Sequence, residues 1–525
     1  MIFPIFSMTK VEDFSGELNA ASFFIDRHLK TDYLDKIAII DDEGRYSYSE
    51  LGVRVNRTGN ALKGLGLSAE ARVAMIMVDG IDFVSVFWGA IKAGLVPVPI
   101  NTLLTGENYG YILEDSRAQA LVVSSSLYSR VLPALENQPY LHSIIVAGAE
   151  VGQCTMLDEI TALASLKLDP AVTHADDIAL WAYSSGSTGN PKGIKHLHSS
   201  ILYTAQTYGQ QVLGIKSEDV IFSAPKMFFA YGLGNSMTFP LSVGATAVLT
   251  AERPTPVSVI GILKQAQVSI FFGVPTLYAA ILADELLNSG LELSSLRICV
   301  SAGEALPADT GIRWHKSFGV EIIDGVGSTE MLHIFLSNRP GDVRYGTSGI
   351  PVPGYETKLL DENGSLVAKG EIGELVVKGE SSAEGYWHAR EKSRVTFVGE
   401  WTYTGDKYYQ DEAGYYCFCG RTDDMFKSGG NWVSPVDVEA ALISHPKVFE
   451  AAVVAHPDES GNLKPKAFVV LDDPGKQNVT LVKELQSHVK ENIEFWKYPR
   501  WIEFRADLPK TGTGKIQRFK LRNGQ

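Results

Sequence analysis

Residues 183–193 read YSSGSTGNPKG, and no other stretch constrains the fold as much. The preceding IALWAY (178–183) is a continuous apolar run of strand character, so the chain must pass from a buried strand into a loop of small hydroxylated residues and glycine. Ser184, Ser185, Ser187 and Thr188 supply hydroxyl donors, and Gly186, Gly189 and Gly193 allow backbone N–H groups to turn toward an anion. Lys192 adds a positive charge at the exit. The loop is built to wrap a phosphate. It is not the common nucleotide P-loop, which needs Lys followed by Ser or Thr, because Gly193 follows Lys192. A flexible Gly/Ser linker would not follow a strand and close on Pro-Lys-Gly.

Strand and helix patterns alternate around this loop. ARVAMIMV, then 83–93, then LVPVPI form one unit, and VIFSAP, ATAVLT, SIFFGV and LRICVSA lie between helical stretches in the same way. That alternation predicts an α/β fold of doubly wound sheets with helices on both faces. From 346 to about 420 the pattern shifts to short alternating strands and turns such as DENG (361–364), predicting a β-rich subdomain. The last hundred residues carry two strand-like runs, EAAVVAH and KAFVVLDD, and a helix over 480–495. They read as a separate small α+β domain. The division expected is a large domain over 1–422 and a small one over 423–525.

Six segments then occur in a fixed order: the loop at 183–193, VSAGEALP (300–307), DGVGSTE (324–330), YTGD (403–406), GRTDDMFKSGGNWVSP (420–435) and PKTGTGKIQR (509–518). Together they resemble the acyl-adenylate-forming superfamily, which includes acyl-CoA ligases, luciferases and peptide-synthetase adenylation domains, and the resemblance spans nearly the whole chain. It implies ATP, Mg²⁺ and coenzyme A as cofactor and co-substrates. A carboxylate first attacks the α-phosphorus of ATP and expels pyrophosphate, and a thiolate then displaces AMP.

The resemblance places Thr329 on a phosphate or carboxylate and Glu330 on Mg²⁺, which suits a hard cation that prefers carboxylate oxygen. Alone, Ser328-Thr329-Glu330 would also read as the capped start of a helix. Asp406 and Arg421 match the pair that holds the ribose. Gly303, Glu304 and Ala305, with Asp324, Gly325, Val326 and Gly327, match the walls around the adenine, although Val326 stands where an aromatic residue is common. Lys515, in a Gly-Thr-Gly turn, matches the adenylation lysine. Asp423 matches the hinge about which the small domain turns between half-reactions. Gly429, Gly430 and Trp432 would then face the site on the coenzyme A side, and Lys427, placed with the catalytic residues, could contact ligand in either state.

The substrate segments PKMFFAYGLGNSMTFP (225–240) and STEMLHIFLSN (328–338) are similar to those of benzoate-type aryl-CoA ligases. They imply a flat aromatic pocket walled by Phe229, Ala230, Tyr231, Ala302, Gly327, His333 and Ile334. FKSGGNWVSP is similar to relatives acting on 2-aminobenzoate, so benzoate and 2-aminobenzoate both stand as substrates. Amino-acid-activating relatives place an Asp where this chain has Phe228 to Tyr231. A carrier protein in place of coenzyme A as acceptor, and a homodimer, both stay open.

Composition fits this reading. The 525 residues are 45% hydrophobic and 21% charged, with a net charge of −14. That charge argues against nucleic-acid and anionic-membrane partners, so ATP and coenzyme A must be held by local basic residues. Cys154, Cys299, Cys417 and Cys419 form no paired framework, which predicts a reducing cytoplasm. Cys417 and Cys419 are read as two small residues on one face of a strand. The first residues, MIFPIFSMTKVEDF, make a poor signal peptide, and RNGQ at the end carries no prenylation or peroxisomal signal. The apolar run 83–100 contains Lys92, Pro97 and Pro99 and predicts a buried helix turning into a strand. GLGLSA (64–69) reads as a helix C-terminus, not a dinucleotide loop. His196 and His198 read as structural, and no GxSxG elbow supplies a hydrolase nucleophile.

Overall fold

A computed structural model describes residues 15–184, 190–284, 292–429, 431–473, 475, 477–510 and 516–522. Two sheets form the frame. A nine-stranded sheet has a parallel centre, in which Ile298–Ser301 lies between Ile270–Gly273 and Ile322–Gly327, with antiparallel strands at its edges. A five-stranded sheet is parallel throughout, built on Arg72–Ile76, Val96–Pro99 and Ala120–Ser124. The central residues of these strands are apolar, as in parallel strands covered by helices on both faces. Ala120–Ser124 is buried at every position.

The run 83–100 folds as expected, into the helix Ile81–Lys92 and the strand Val96–Pro99. This helix packs on Tyr48–Gly64, which begins with a Ser47/Glu50 capping box. The two cross through glycine. A Cβ at Gly59 would sit 2.8 Å from the Gly89 carbonyl oxygen, so a larger residue at either position would push the helices apart. GLGLSA lies at the end of Tyr48–Gly64, as read from the sequence.

A second five-stranded sheet, with Trp401–Gln410 central to it, makes up the β-rich region. Cys417 and Cys419 lie two apart on the strand Tyr416–Arg421. The strands Ile178–Ser184 and Lys192–Leu197 belong to none of these sheets. They form a three-stranded sheet with Gly385–Tyr386.

Residues beyond Asp423 have apolar clusters of their own, centred on Val453, Val469 and Leu485 and on Ala452, Phe468 and Leu521. The expected strands run over Val448–Pro457 and Leu463–Leu471 and the helix over Val479–Asn492. A third strand, Trp501–Phe504, joins them in parallel, and a hairpin pairs Phe426–Ser428 with Asn431–Val433. Both lay outside the sequence reading because WIEF and FKS/NWV are too short to show a period. Among the described residues, no helix is long and apolar enough to cross a membrane.

Candidate active site

Ser184 and Lys192 face each other across the hairpin that carries the phosphate loop. Ser185, Gly186, Ser187 and Thr188 lie outside the described residues, as do Gly430 and Lys515. The third strand of this small sheet brings Tyr386 beside Ile194, and the Lys192 ammonium sits 5.8 Å from the centre of its ring. The Tyr386 hydroxyl donates a 2.8 Å hydrogen bond to Glu330 Oε1. Burial and the neighbouring carboxylate both push the phenol pKa up, so the hydroxyl keeps its proton and stays a donor.

His196 lies on the central strand of the same sheet and is fully buried. Its Nε2 is 2.8 Å from the Thr329 carbonyl oxygen. Burial lowers its pKa to about 4, so the ring is neutral and the proton that bonds a carbonyl must be on Nε2. The sequence reading set this histidine aside as structural. It is buried, but it fixes the backbone of Thr329.

The segment 328–333 is a turn, not a capped helix, and leads into the strand Ile334–Ser337. Ser328 Oγ accepts from Met331 N at 3.2 Å, and the Thr329 carbonyl accepts from Leu332 N at 3.1 Å. Glu330 and Met331 carbonyls accept from Ala383 N and Ser381 Oγ, both at 2.8 Å. Leu332 is held at φ 63°, a conformation a buried leucine adopts only when its surroundings impose it. The turn thus presents Thr329 and Glu330 beside the small sheet that carries Ser184 and Lys192.

Asp406 and Arg421 lie directly opposite each other on antiparallel strands, 2.9 Å apart, and Arg421 also donates to the Thr404 carbonyl at 3.2 Å. Asp324 lies opposite Ser301 in the parallel centre of the large sheet. Burial drives its carboxyl well above the usual carboxylate range, offset only in part by hydrogen bonding with Leu306, Ser301 and Gly325. Gly303 follows at φ 96° with open space around it, and Glu304 and Ala305 continue the loop.

The aromatic segments also converge. His333 is buried with its ring 4.5 Å from that of Phe239 and 5.5 Å from those of Tyr208 and Tyr231. Burial pushes its pKa down to about 3. Its Nε2 donates to the Tyr231 carbonyl at 3.3 Å and to Asn235 Oδ1 at 3.2 Å, leaving Nδ1 an acceptor without a partner among the described residues. A small cavity beside it is lined by Ala230, Leu233, Gly234 and Leu332. Gly327 pairs with Ile334, and a Cβ there would meet the His333 carbonyl at 2.4 Å. Ala302 is buried at the end of the neighbouring strand. The segment after Phe229 is α-helical only over Ala230–Leu233 and π-helical over Gly234–Thr238, an irregularity frequent at functional sites.

Lys427 and Trp432 are placed elsewhere. Lys427 sits 4.7 Å from the Trp432 ring centre and 3.8 Å from Glu362, in a cleft of about 220 Å³ against the turn 361–363. No hydrogen bond or ion pair joins either one to the Thr329–Glu330 turn among the described residues. Gly429 turns the hairpin at φ 60°. Asp423 gives its carbonyl to Arg522 at 2.8 Å. Tyr386, Asn235 and Leu332 were missed because no local pattern marks them. Tyr386 reaches Glu330 only through strand pairing, and its one signal was the GYW that ends a turn-rich stretch.

The family model of AMP-binding enzymes matches residues 25–387, and that of the AMP-binding enzyme C-terminal domain matches 437–515. The benzoate–CoA ligase of Thauera aromatica is 54% identical over 507 residues, covering 96% of both chains. An anthranilate CoA ligase solved with anthranoyl-AMP superposes with a TM-score of 0.93 at 43% identity over 98% of both chains. A benzoate CoA ligase from Burkholderia xenovorans LB400 gives 0.89 at 47%, covering 96% of this chain and all of that one. With its Ser184–Lys192 hairpin, clamped Thr-Glu turn and Asp–Arg pair, and matched over nearly its full length, this chain is a member of the AMP-binding enzymes, the acyl-adenylate-forming superfamily.

Proposed function

We propose that the chain is an AMP-forming aryl-CoA ligase that converts an aromatic carboxylate of the benzoate or 2-aminobenzoate type to its coenzyme A thioester. The observation that carries the aryl reading is the neutral His333, buried among Tyr208, Tyr231 and Phe239 at the end of the turn that presents Thr329 and Glu330. A ring-shaped acid entering between Phe229, Ala230 and Tyr231 meets only apolar and uncharged surface, while its carboxylate points back toward the phosphate loop.

In the first half-reaction, a carboxylate oxygen bonds to the α-phosphorus of ATP and the bond to the β-phosphate oxygen breaks. Ser184 to Thr188 and Lys192 receive the phosphates, Thr329 donates to the transferring group, and Asp406 and Arg421 hold the ribose. Asp324, Gly325, Val326, Gly327, Gly303, Glu304 and Ala305 enclose the adenine. Among the described residues, no cluster of three metal-ligating side chains occurs. A single carboxylate, Glu330, fits Mg²⁺, which keeps water and substrate phosphates as most of its ligands. Mg²⁺ would neutralise charge building on the phosphates. Lys515 contributes its charge at this stage.

In the second half-reaction, a thiolate attacks the acyl carbonyl and AMP leaves with the electron pair. The small domain, 423–525, turns about Asp423 relative to the large one, 1–422, so that Lys427, Gly429, Gly430 and Trp432 come to face the cleft. The cleft now holding Lys427 against Glu362 is their resting place in the adenylate-forming arrangement. Pyrophosphate release measured over a panel of acids, with coenzyme A or a carrier protein as acceptor, tests the whole reading. Benzoate and 2-aminobenzoate are expected ahead of octanoate and acetate, with coenzyme A the productive thiol. An apolar slot separates near-isosteric rings by only about 10- to 200-fold. A higher kcat/KM for octanoate or acetate would overturn the aryl assignment, and activity with the carrier alone would overturn the acceptor.

A further inference from the structure

Asp79 follows the strand Arg72–Ile76 and precedes the helix Ile81–Lys92, in a loop that carries none of the family motifs. It is 5% exposed, yet among the described residues its carboxylate is in no ion pair. Both of its oxygens reach the backbone N–H of Met227, at 3.2 and 3.3 Å. The charge closest in effect is that of Lys226, whose ammonium is spent on the carbonyls of Thr250 and Glu252. Burying a carboxylate is costly, so a fold retains one here only where its position matters.

The loop around Asp79 is pegged on both sides. Val78 N donates to Ser124 Oγ at 3.1 Å, and Ile81 N donates to Asp41 Oδ2 at 2.9 Å. Asp79 is therefore a fixed post on the parallel sheet. The segment it holds is equally constrained. Phe229 N donates to the Lys226 carbonyl and Leu233 N to the Phe229 carbonyl, at 3.0 and 2.8 Å. A Cβ at Gly232 would lie 2.1 Å from the Lys226 carbonyl oxygen, so the turn is folded tightly on itself. Displacing Met227 would carry Phe229, Ala230 and Tyr231 with it as one piece.

We propose that Asp79 is a positioning residue for the aromatic-acid pocket, setting the wall 229–231 at its working distance from His333 by gripping Met227 N. This rests on the reading of that wall as the aryl site. Asp79→Ala removes the grip and leaves a buried N–H unpaired, and the KM for benzoate should rise about tenfold while the KM for ATP stays within twofold. Asp79→Asn keeps an acceptor oxygen at the same reach and should restore the benzoate KM to within about threefold of the parent. Should the alanine variant fail to fold, Asp79→Glu carries the test. It keeps the carboxylate but pushes it one methylene toward Met227, and should raise the benzoate KM with the ATP KM unchanged. Equal rises for benzoate and ATP, or no difference between the alanine and asparagine variants, would overturn the proposal. Ala230→Leu, measured alongside, tests the pocket reading separately. If it shifts the benzoate KM while the Asp79 variants do not, the role of Asp79 falls and the pocket stands. If it leaves aromatic acids untouched, the pocket falls and the positioning role falls with it.

Discussion

A single phenol hydroxyl decides where Glu330 can point. The Tyr386 bond to Oε1 leaves the second carboxylate oxygen for the proposed Mg²⁺, and without it the side chain recovers its rotamer freedom. Tyr386→Phe should slow adenylate formation by about 10- to 100-fold, since small misplacements in a preorganised site cost that much. Conversion of supplied benzoyl-AMP to benzoyl-CoA should be spared. Half-reaction assays separate the two, and an equal loss in both would show that Tyr386 serves folding only. Lys515→Ala is expected to remove adenylate formation by several orders of magnitude and to leave the thioester step with supplied adenylate intact. Loss of both steps would refute its assignment to the first. These two residues differ in how they could be found. Lys515 sits in a local run, GTGK, that sequence alone makes conspicuous. Tyr386 has no such run, and neither does the part His196 plays at Thr329, because each depends on which strands pair.

Among the elements, the hairpin Phe426–Ser428 and Asn431–Val433 is the one whose proposed role depends on movement. Its exposed Lys427–Glu362 pair contributes little to stability, as surface pairs do, so releasing it costs little. Gly430→Leu should leave pyrophosphate release unchanged and block thioester formation. An unaltered thioester step would mean that the thiol enters elsewhere. Asp423→Pro should trap one arrangement by fixing φ, giving a protein active in one half-reaction only. Full retention of both would place the hinge at another residue. Long periodic elements such as Tyr48–Gly64 and the apolar strands were legible in the sequence because burial imposes their spacing. The π-helical turn Gly234–Thr238 and the parallel strand Trp501–Phe504 were not, since tertiary contacts decide them.

For the molecule as a whole, acid sensitivity follows from its buried histidines. Burial lowers His28, His196 and His198 to about 4 and His333 to about 3. The unfolded chain takes up these protons near pH 6.5 and the folded one does not, so stability is lost as pH falls from about 6.5 toward 4. Asp79 and Asp82, raised to about 6 by burial, and Asp324 and Glu439, raised by burial as well, work the other way, since the folded state binds their protons first. The raised carboxyls offset most of what the four histidines lose, leaving a net loss of no more than about one proton, or roughly 1 kcal/mol per pH unit, near pH 5. Thermal unfolding followed from pH 7 to 5 should show a falling Tm, and a flat or rising Tm would mean that some of these rings are charged in the fold.

The strand Lys192–Leu197 completes its sheet only by pairing Lys195 with Gly385, nearly two hundred residues further along the chain. A nascent chain that has made the phosphate loop cannot yet have its floor. Closing so long a loop comes late in folding, so the nucleotide cleft should be among the last parts to assemble, and ATP, which recognises only the closed cleft, would act as a fastener on a nearly finished protein.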